Sequence, residues 1–341
     1  MFYIHHISCI SPQGSGAVGA DLPVGPEGAG GLVGPVGNLL RAIEPKYEGI
    51  PGNVLRRMSK SVRMGVGASL PLLKQSPDGI LIGTGYGGME DSVKFLQQVI
   101  DYQEGVLAPG PFVQSTANAI ASQIGLFYQN KGYNTTYVHQ GLAFESALID
   151  AGMLVREQPG SSWLVGGVDE ISGHNYRFEY AEGWYKKEDF TGKDFYTADS
   201  PGSIAGEGAA LFLVNDERAG ALAQVKGIAT LRGEKEDDVR TAMALFLGRQ
   251  LPDGEKPDLL ISGENGDNRT LKWYRLCEAV LGQDVAVTRF KHLCGEYPTA
   301  SAYALGLACT LPGKGSSPQT ILIYNNYKFS QHSLILIERF L

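Results

Sequence analysis

Apolar residues in this chain gather in short unbroken runs, and between the runs they recur at helical spacing. Met1 to Ile4 opens directly into a strand. Asp78 to Gly83 (DGILIG) predicts a strand buried on both faces, followed by a helix from about Glu90 to Glu104. Ile120, Ile124, Phe127 and Tyr128 share one face of a second helix over 117–129. A β-rich run at 134–138 leads into a helix over 143–156, and Trp163-Leu-Val-Gly-Gly167 predicts a strand ending in a glycine turn. Strands at 208–214 and 223–230 follow. A second alternation comes next, with helices at 236–247, 269–281 and 299–311 and strands at 258–262, 285–288, 320–324 and 333–337. Strands that are apolar throughout, alternating with amphipathic helices, predict an α/β protein whose sheets are covered on both faces. The two series look like a duplicated unit, with halves at 1–218 and 219–341. The segment from Gly14 to Gly37, rich in Gly and Pro, predicts a long loop within one fold rather than a linker.

Composition narrows the classes. The chain has 341 residues, 43% apolar and 19% charged, enough for one large core or two fused half-domains. Its 29 basic and 36 acidic residues give a net charge of -7, which offers no footprint for nucleic acid. One basic stretch, Arg56, Arg57, Lys60 and Arg63, reads as a solvated helix face, with an acidic partner as the alternative. No apolar run approaches the roughly 20 residues of a membrane span and no signal sequence precedes the first strand, so a cytoplasmic protein is expected. Cys9, Cys277, Cys294 and Cys309 are scattered without a CxxC pair, so buried reduced thiols are expected in place of disulfides or a metal site.

Five segments, in order along the chain, resemble β-ketoacyl synthases of the thiolase-like superfamily. Phe2 to Gly14 is similar to the family's opening strand and Ser-Pro turn, and Leu55-Arg-Arg-Met58 to its Arg-Arg-Met segment. Ile82 to Gly88 resembles a Gly-rich strand end, and Val165-Gly-Gly-Val-Asp-Glu170 a Gly-Gly-x-Glu turn with one residue added. The most specific is Gly206-Glu-Gly-Ala-Ala-Leu-Phe-Leu-Val214, which follows the family's Gly-Glu-Gly-Ala-Gly run into a strand. The resemblance implies a five-layered αβαβα architecture in two pseudo-repeated halves, a dimer across the sheet edges, and a carrier protein threading a phosphopantetheine arm into a buried site. No other cofactor and no metal is expected.

The family's nucleophile is a cysteine at the start of the central helix, where the helix N-terminus lowers the thiol pKa and backbone N–H groups stabilise an oxyanion. Here the run 134–138 leads into His139-Gln140-Gly141, and no cysteine occurs between Cys9 and Cys277. Either Gln140 or Gly141 takes the nucleophile's position; chain-length factors and decarboxylating loading synthases of the family carry glutamine there, which favours Gln140. By resemblance, Ser262 stands where the family's first catalytic histidine would be. Lys291-His-Leu-Cys-Gly295 resembles the motif of the second, with His292 in the catalytic place. The family's lysine, five residues earlier, then falls at Val287 and is missing, leaving Arg289 or Lys291 to supply its charge. Glu264, Asn265 and Asp267 read as a turn built on Asx-type hydrogen bonds. The gating loop corresponds to 326–333, shorter by about two residues and without glycine, with Phe329 matching the gating phenylalanine. Phe112, Phe127 and Tyr128 are tunnel candidates by family geometry, or core residues.

These departures together imply a scaffold kept without its chemistry. The expected function is that of a non-condensing, chain-length-factor-like subunit paired with an active β-ketoacyl-ACP synthase. The alternatives are a malonyl-ACP decarboxylase using Gln140 and His292, and a homodimeric acyl-binding protein.

Overall fold

The computed structural model describes residues 1–16, 38–72, 74, 76–188, 195–311 and 319–340, so most of the segment expected as a long loop lies outside the described residues. The first series runs β1 (Phe2–Ser11), β2 (Gly14–Gly16), β3 (Leu39–Leu40), α1 (Gly52–Leu55), α2 (Lys60–Ser69) and β4 (Gly79–Thr84). It continues through α3 (Met89–Asp101), α4 (Pro109–Gln114), α5 (Ala119–Phe127), β5 (Tyr133–Val138), α6 (Ala143–Glu157) and β6 (Trp163–Asp169), then α7 (Gly173–Ala181), β7 (Ala205–Gly206) and β8 (Gly208–Asn215). The second series comprises β9 (Ala223–Arg232), α8 (Glu236–Gln250), β10 (Leu259–Ser262), α9 (Leu271–Leu281) and β11 (Ala286–Arg289). It ends with α10 (Lys291–Cys294), α11 (Ala300–Thr310), β12 (Gln319–Tyr327) and β13 (Gln331–Arg339).

One mixed sheet runs β11-β10-β12-β13-β9-β1-β8-β6-β4-β5, with β2 beside β1 and the short pair β3-β7 apart from it. Its two halves share a topology. In each, the second of the five strands pairs in parallel with the third and the fourth, while the fifth pairs antiparallel with the fourth and the first. The halves meet where β1 pairs antiparallel with β9 over Phe2–Ile4.

Alternation along the strands sorts the core into layers, because successive side chains point to opposite faces. Ile80 and Ile82 of β4 pack outward with α2 and α5, whereas Leu81 points inward with Phe144 and Leu148 of α6. Ile321 and Ile323 of β12 join that same inner core with α11, and Leu322 and Tyr324 pack outward with α8 and α9. The order is therefore helices, half-sheet, α6 with α11, half-sheet, helices, as the five-layered expectation required. Every residue of α11 from Ala300 to Cys309 is buried, which explains a helix with no polar face.

The basic stretch does not lie together on a solvated face. Eight of the ten residues of α2 are buried, Lys60 pairs with Glu207, and Arg63 holds Glu44 through two bonds of 2.9 Å. Arg56 and Arg57 alone of the four are exposed. All four cysteines are buried and free. Among the described residues no helix is long and apolar enough to cross a membrane.

The layers touch most closely where α6 crosses β4. A Cβ added at Gly83 would lie 2.5 Å from the backbone nitrogen of Phe144 and 2.6 Å from the carbonyl of Ala143. Gly83→Ala is expected to cost about 1–3 kcal/mol, because backbone rather than a flexible side chain must yield. Gly173→Ala, which meets nothing within 4 Å, should stay within about 0.5 kcal/mol of the parent. Urea denaturation of the two variants measures the difference, and equal midpoints would show that α6 does not lie against β4 in this way.

Candidate functional site

The turn between β5 and α6 sets the geometry at the centre of the molecule. Gln140 adopts φ 49°, a left-handed conformation unusual for a non-glycine residue, and opens a single 3-10 turn, Gln140–Leu142. This exposes the Gln140 side chain and turns the Gly141 N–H inward, where it donates to Gln331 Oε1 at 2.9 Å. Tyr327 covers the other side: a Cβ at Gly141 would lie 2.3 Å from Tyr327 Cβ. Glycine is thus required at 141, while 140 has room for a side chain. His139 is exposed, with Nδ1 3.4 Å from Ser146 Oγ.

In the second half Ser262 ends β10, fully buried, its hydroxyl accepting the Glu264 N–H at 3.3 Å. The following turn is built as expected, with Asn265 Oδ1 accepting from the Asp267 N–H and the Thr270 hydroxyl. Its amide nitrogen does something further. Asn265 Nδ2 donates to Glu296 Oε2 at 2.7 Å, and Lys291 Nζ reaches both Glu296 oxygens at 2.6 and 2.7 Å with no exposure of its own side chain. Burial pushes the Glu296 carboxyl up, against the opposing pull of Lys291 and Asn265.

His292 faces elsewhere. The Tyr196 hydroxyl accepts its backbone N–H at 3.1 Å and stands 2.8 Å from Nδ1, an arrangement in which the hydroxyl donates to a neutral ring. Burial, reinforced by the Arg289 guanidinium, lowers its pKa to about 4. Arg289 is itself held by Glu264 at 2.7 Å. Among the described residues no hydrogen bond joins Gln140, Ser262 and His292 to one another.

Four residues further along the family motif for the second histidine matches only in part: Gly295 takes its first glycine and Lys291 the lysine five residues before the histidine, while Glu296 stands in the histidine's place and Thr299 in that of the closing glycine. That spacing was the signal available in the sequence for the Lys291–Glu296 pair. The first reading, with Val287 at the lysine's place, leaves this buried pair unexplained.

The β12–β13 hairpin closes over the same region. Lys328 and Phe329 both take left-handed conformations, φ 45° and 66°, in a turn without glycine. Lys328 Nζ pairs with Glu179 at 2.5 Å, and Glu179 also accepts from Tyr86 at 2.9 Å and Tyr185 at 2.5 Å. Phe329 packs on Trp184 with centroids 5.2 Å apart, and the Arg269 guanidinium lies over both rings. The remaining tunnel candidates sit apart from it: Phe112 is exposed and packs on Phe95, while Phe127 and Tyr128 pack against the outer core of the first half. Glu179 and Tyr185 lie outside the matched segments, Tyr86 and Gln331 lie within them at positions given no role, and only the fold brings the four into this region.

No protein-family model and no curated protein sequence matches the chain. Solved structures do. The ishigamide ketosynthase/chain length factor is similar at TM-score 0.75 and 20% identity, over 99% of each chain. A β-ketoacyl synthase from Burkholderia phymatum STM815 is similar at TM-score 0.75 and 14% identity, also over 99% of each. The complex AntDE:AntF, a type II PKS acyl-carrier protein with its ketosynthase bound to the hexaketide, gives TM-score 0.74 at 11% identity, over 100% of this chain and 99% of that one. At these identities the likeness is one of fold, and it spans 99% or more of the chain. The chain has the thiolase-like fold of the ketosynthases and chain length factors.

Proposed function

We propose that this chain is a non-condensing, chain-length-factor-like subunit that pairs with an active β-ketoacyl-ACP synthase and shapes the acyl tunnel in fatty-acid, polyketide or aryl-polyene type biosynthesis. The start of α6 carries the reading. Acyl transfer through a covalent thioester needs a thiolate and N–H donors aimed at the developing oxyanion. Here a glutamine occupies the turn, and the Gly141 N–H is already bonded by the chain's own Gln331. Both oxygens of Glu296 are taken by Lys291 and Asn265, so it offers no free donor to a substrate carbonyl. The cysteines offer no substitute: all four are buried, and burial pushes their thiols up, Cys309 to about 12.

Pairing is supported by the open side of the sheet. β5 is the end strand, and Tyr133 and Val138 on it are exposed. The helices packed on β5 add Leu126 of α5 and Ile149 and Met153 of α6, also exposed. An unpaired strand edge flanked by apolar side chains is a surface that a partner strand would cover. A ketosynthase subunit fits that edge, and an acyl carrier protein would be the second partner.

Co-expression tests the pairing. A tagged form of this chain should carry an untagged, cysteine-bearing ketosynthase with it in a one-to-one complex, and Val138→Arg should abolish the complex while changing stability by less than about 0.5 kcal/mol. Elution of the chain alone as a stable homodimer beside that ketosynthase would refute the subunit role and leave the acyl-binding alternative. Incubated with acyl-carrier protein thioesters, the native chain should gain no acyl mass, and its four thiols should react with iodoacetamide only after unfolding. An acyl adduct on any residue would overturn the reading.

His292 separates this function from decarboxylation. A histidine held neutral with a lowered pKa leaves stability unaffected above its unfolded value near 6.5 and drains it as pH falls toward about 4, because the unfolded chain then binds the extra proton. NMR titration should place the ring's midpoint near 4, and His292→Gln should flatten the acid limb of the stability curve. A midpoint near neutrality, together with CO2 release from malonyl-ACP by the isolated chain, would favour the decarboxylase instead.

A further inference from the structure

A cleft of about 1150 Å³ lies beside α2, α3 and α4 and reaches the loop after β6. Five cations line it, Arg56, Arg57, Lys60, Arg63 and Lys94, against three carboxylates, Glu90, Asp91 and Glu170. Pairing leaves two of the cations over. Glu207 holds Lys60, Glu44 holds Arg63 at 2.9 Å, and Glu90 stands 3.9 Å from Lys94. Arg56 and Arg57 are exposed and form no ion pair among the described residues. The other two carboxylates are turned away from the open space. Asp91 Oδ2 and Glu170 Oε1 have almost no accessible surface, and the second Glu170 oxygen accepts the Ser61 N–H at 3.0 Å. Burial raises both groups, Glu170 to about 7, which favours their neutral forms. The remaining wall is apolar, built by Val54, Met58, Pro111, Val113 and Ile171.

A ligand in this cleft therefore meets guanidinium on one part of the wall and hydrocarbon on another. Small-molecule sites are mostly apolar hollows in which a few charged groups fix orientation, and the volume here is ample for one. An arginine fork matches the two oxygens of a carboxylate, and neither Arg56 nor Arg57 has such a partner among the described residues. An inorganic anion would engage the arginines and leave the apolar wall wet. An alcohol with a hydrocarbon chain would do the reverse, and an alkylammonium would meet like charge. A carboxylate on a hydrocarbon chain uses both parts of the wall.

We propose that the cleft binds a linear aliphatic carboxylate of medium length, its head on Arg56 and Arg57 and its chain along Val54, Met58, Pro111 and Val113. The ligand is held without a covalent bond. The site depends neither on the turn at Gln140 nor on a partner subunit.

Calorimetry on the full chain near neutral pH tests the site with octanoate, butyrate, octanol and octylammonium. Expected is saturable binding of octanoate, with affinity falling about two- to fourfold for each methylene removed toward butyrate. Octanol should bind about tenfold more weakly than octanoate, and octylammonium not at all. Joint Arg56→Ala and Arg57→Ala, both at exposed positions, should weaken octanoate by about tenfold or more and leave octanol unchanged. Val113→Asp, at a position 59% exposed, should abolish octanoate binding while the thermal midpoint stays near that of the parent. Absence of octanoate binding, octanol binding as tightly as octanoate, or indifference of octanoate to the loss of both arginines would each overturn the proposal. Loss of an acidic partner protein from the arginine variant, without octanoate binding to the parent, would overturn it too and assign Arg56 and Arg57 to that partner. None of these outcomes bears on the pairing with a ketosynthase, which the co-expression experiment decides separately.

Discussion

The two half-sheets are held apart, and together, by one shared filling: α6 from the first series and α11 from the second, buried against each other between them. α11 is buried along almost its whole length and α6 along one face, so the two half-sheets share one filling to which each series contributes a helix. Burial on that scale outweighs any single polar contact in the molecule. It also fixes where α6 begins, and so where the Gly141 N–H points. Everything about the centre follows from that placement.

What fills the centre is protein. Tyr327 lies on Gly141, Gln331 accepts its N–H, and Lys328, Tyr86 and Tyr185 converge on Glu179. A few residues away, Lys291, Glu296 and Asn265 satisfy one another. A buried ion pair contributes little net stability over an apolar filling, because desolvation offsets its attraction, but losing one partner leaves a charge stranded. Such a network tolerates piecemeal change poorly. Its members make sense as a set, which fits a scaffold whose interior serves packing and shape rather than turnover.

The surface divides differently. The open edge at β5 is apolar, the cleft beside α2 and α3 is lined by cations and apolar side chains, and the two involve different residues.

The fold was legible in the sequence to a large degree, since period and composition report burial directly. Uninterrupted apolar strands marked sheets covered on both faces, and most element boundaries fell within a few residues of those observed. The short helices α1, α4 and α10 and the longer α7 escaped, and α2 was read as a solvated helix because Lys60 and Arg63 disguise a buried one whose cations have partners elsewhere in the chain. The absence of a thiol after β5 was likewise a property of the letters alone. What the letters could not give was direction: His292 stands in a plausible motif but turns toward Tyr196, while Glu296, four residues on, meets Lys291 and Asn265. Which side chain enters a site depends on contacts between segments far apart in the chain, and such contacts exist only once the layers have closed.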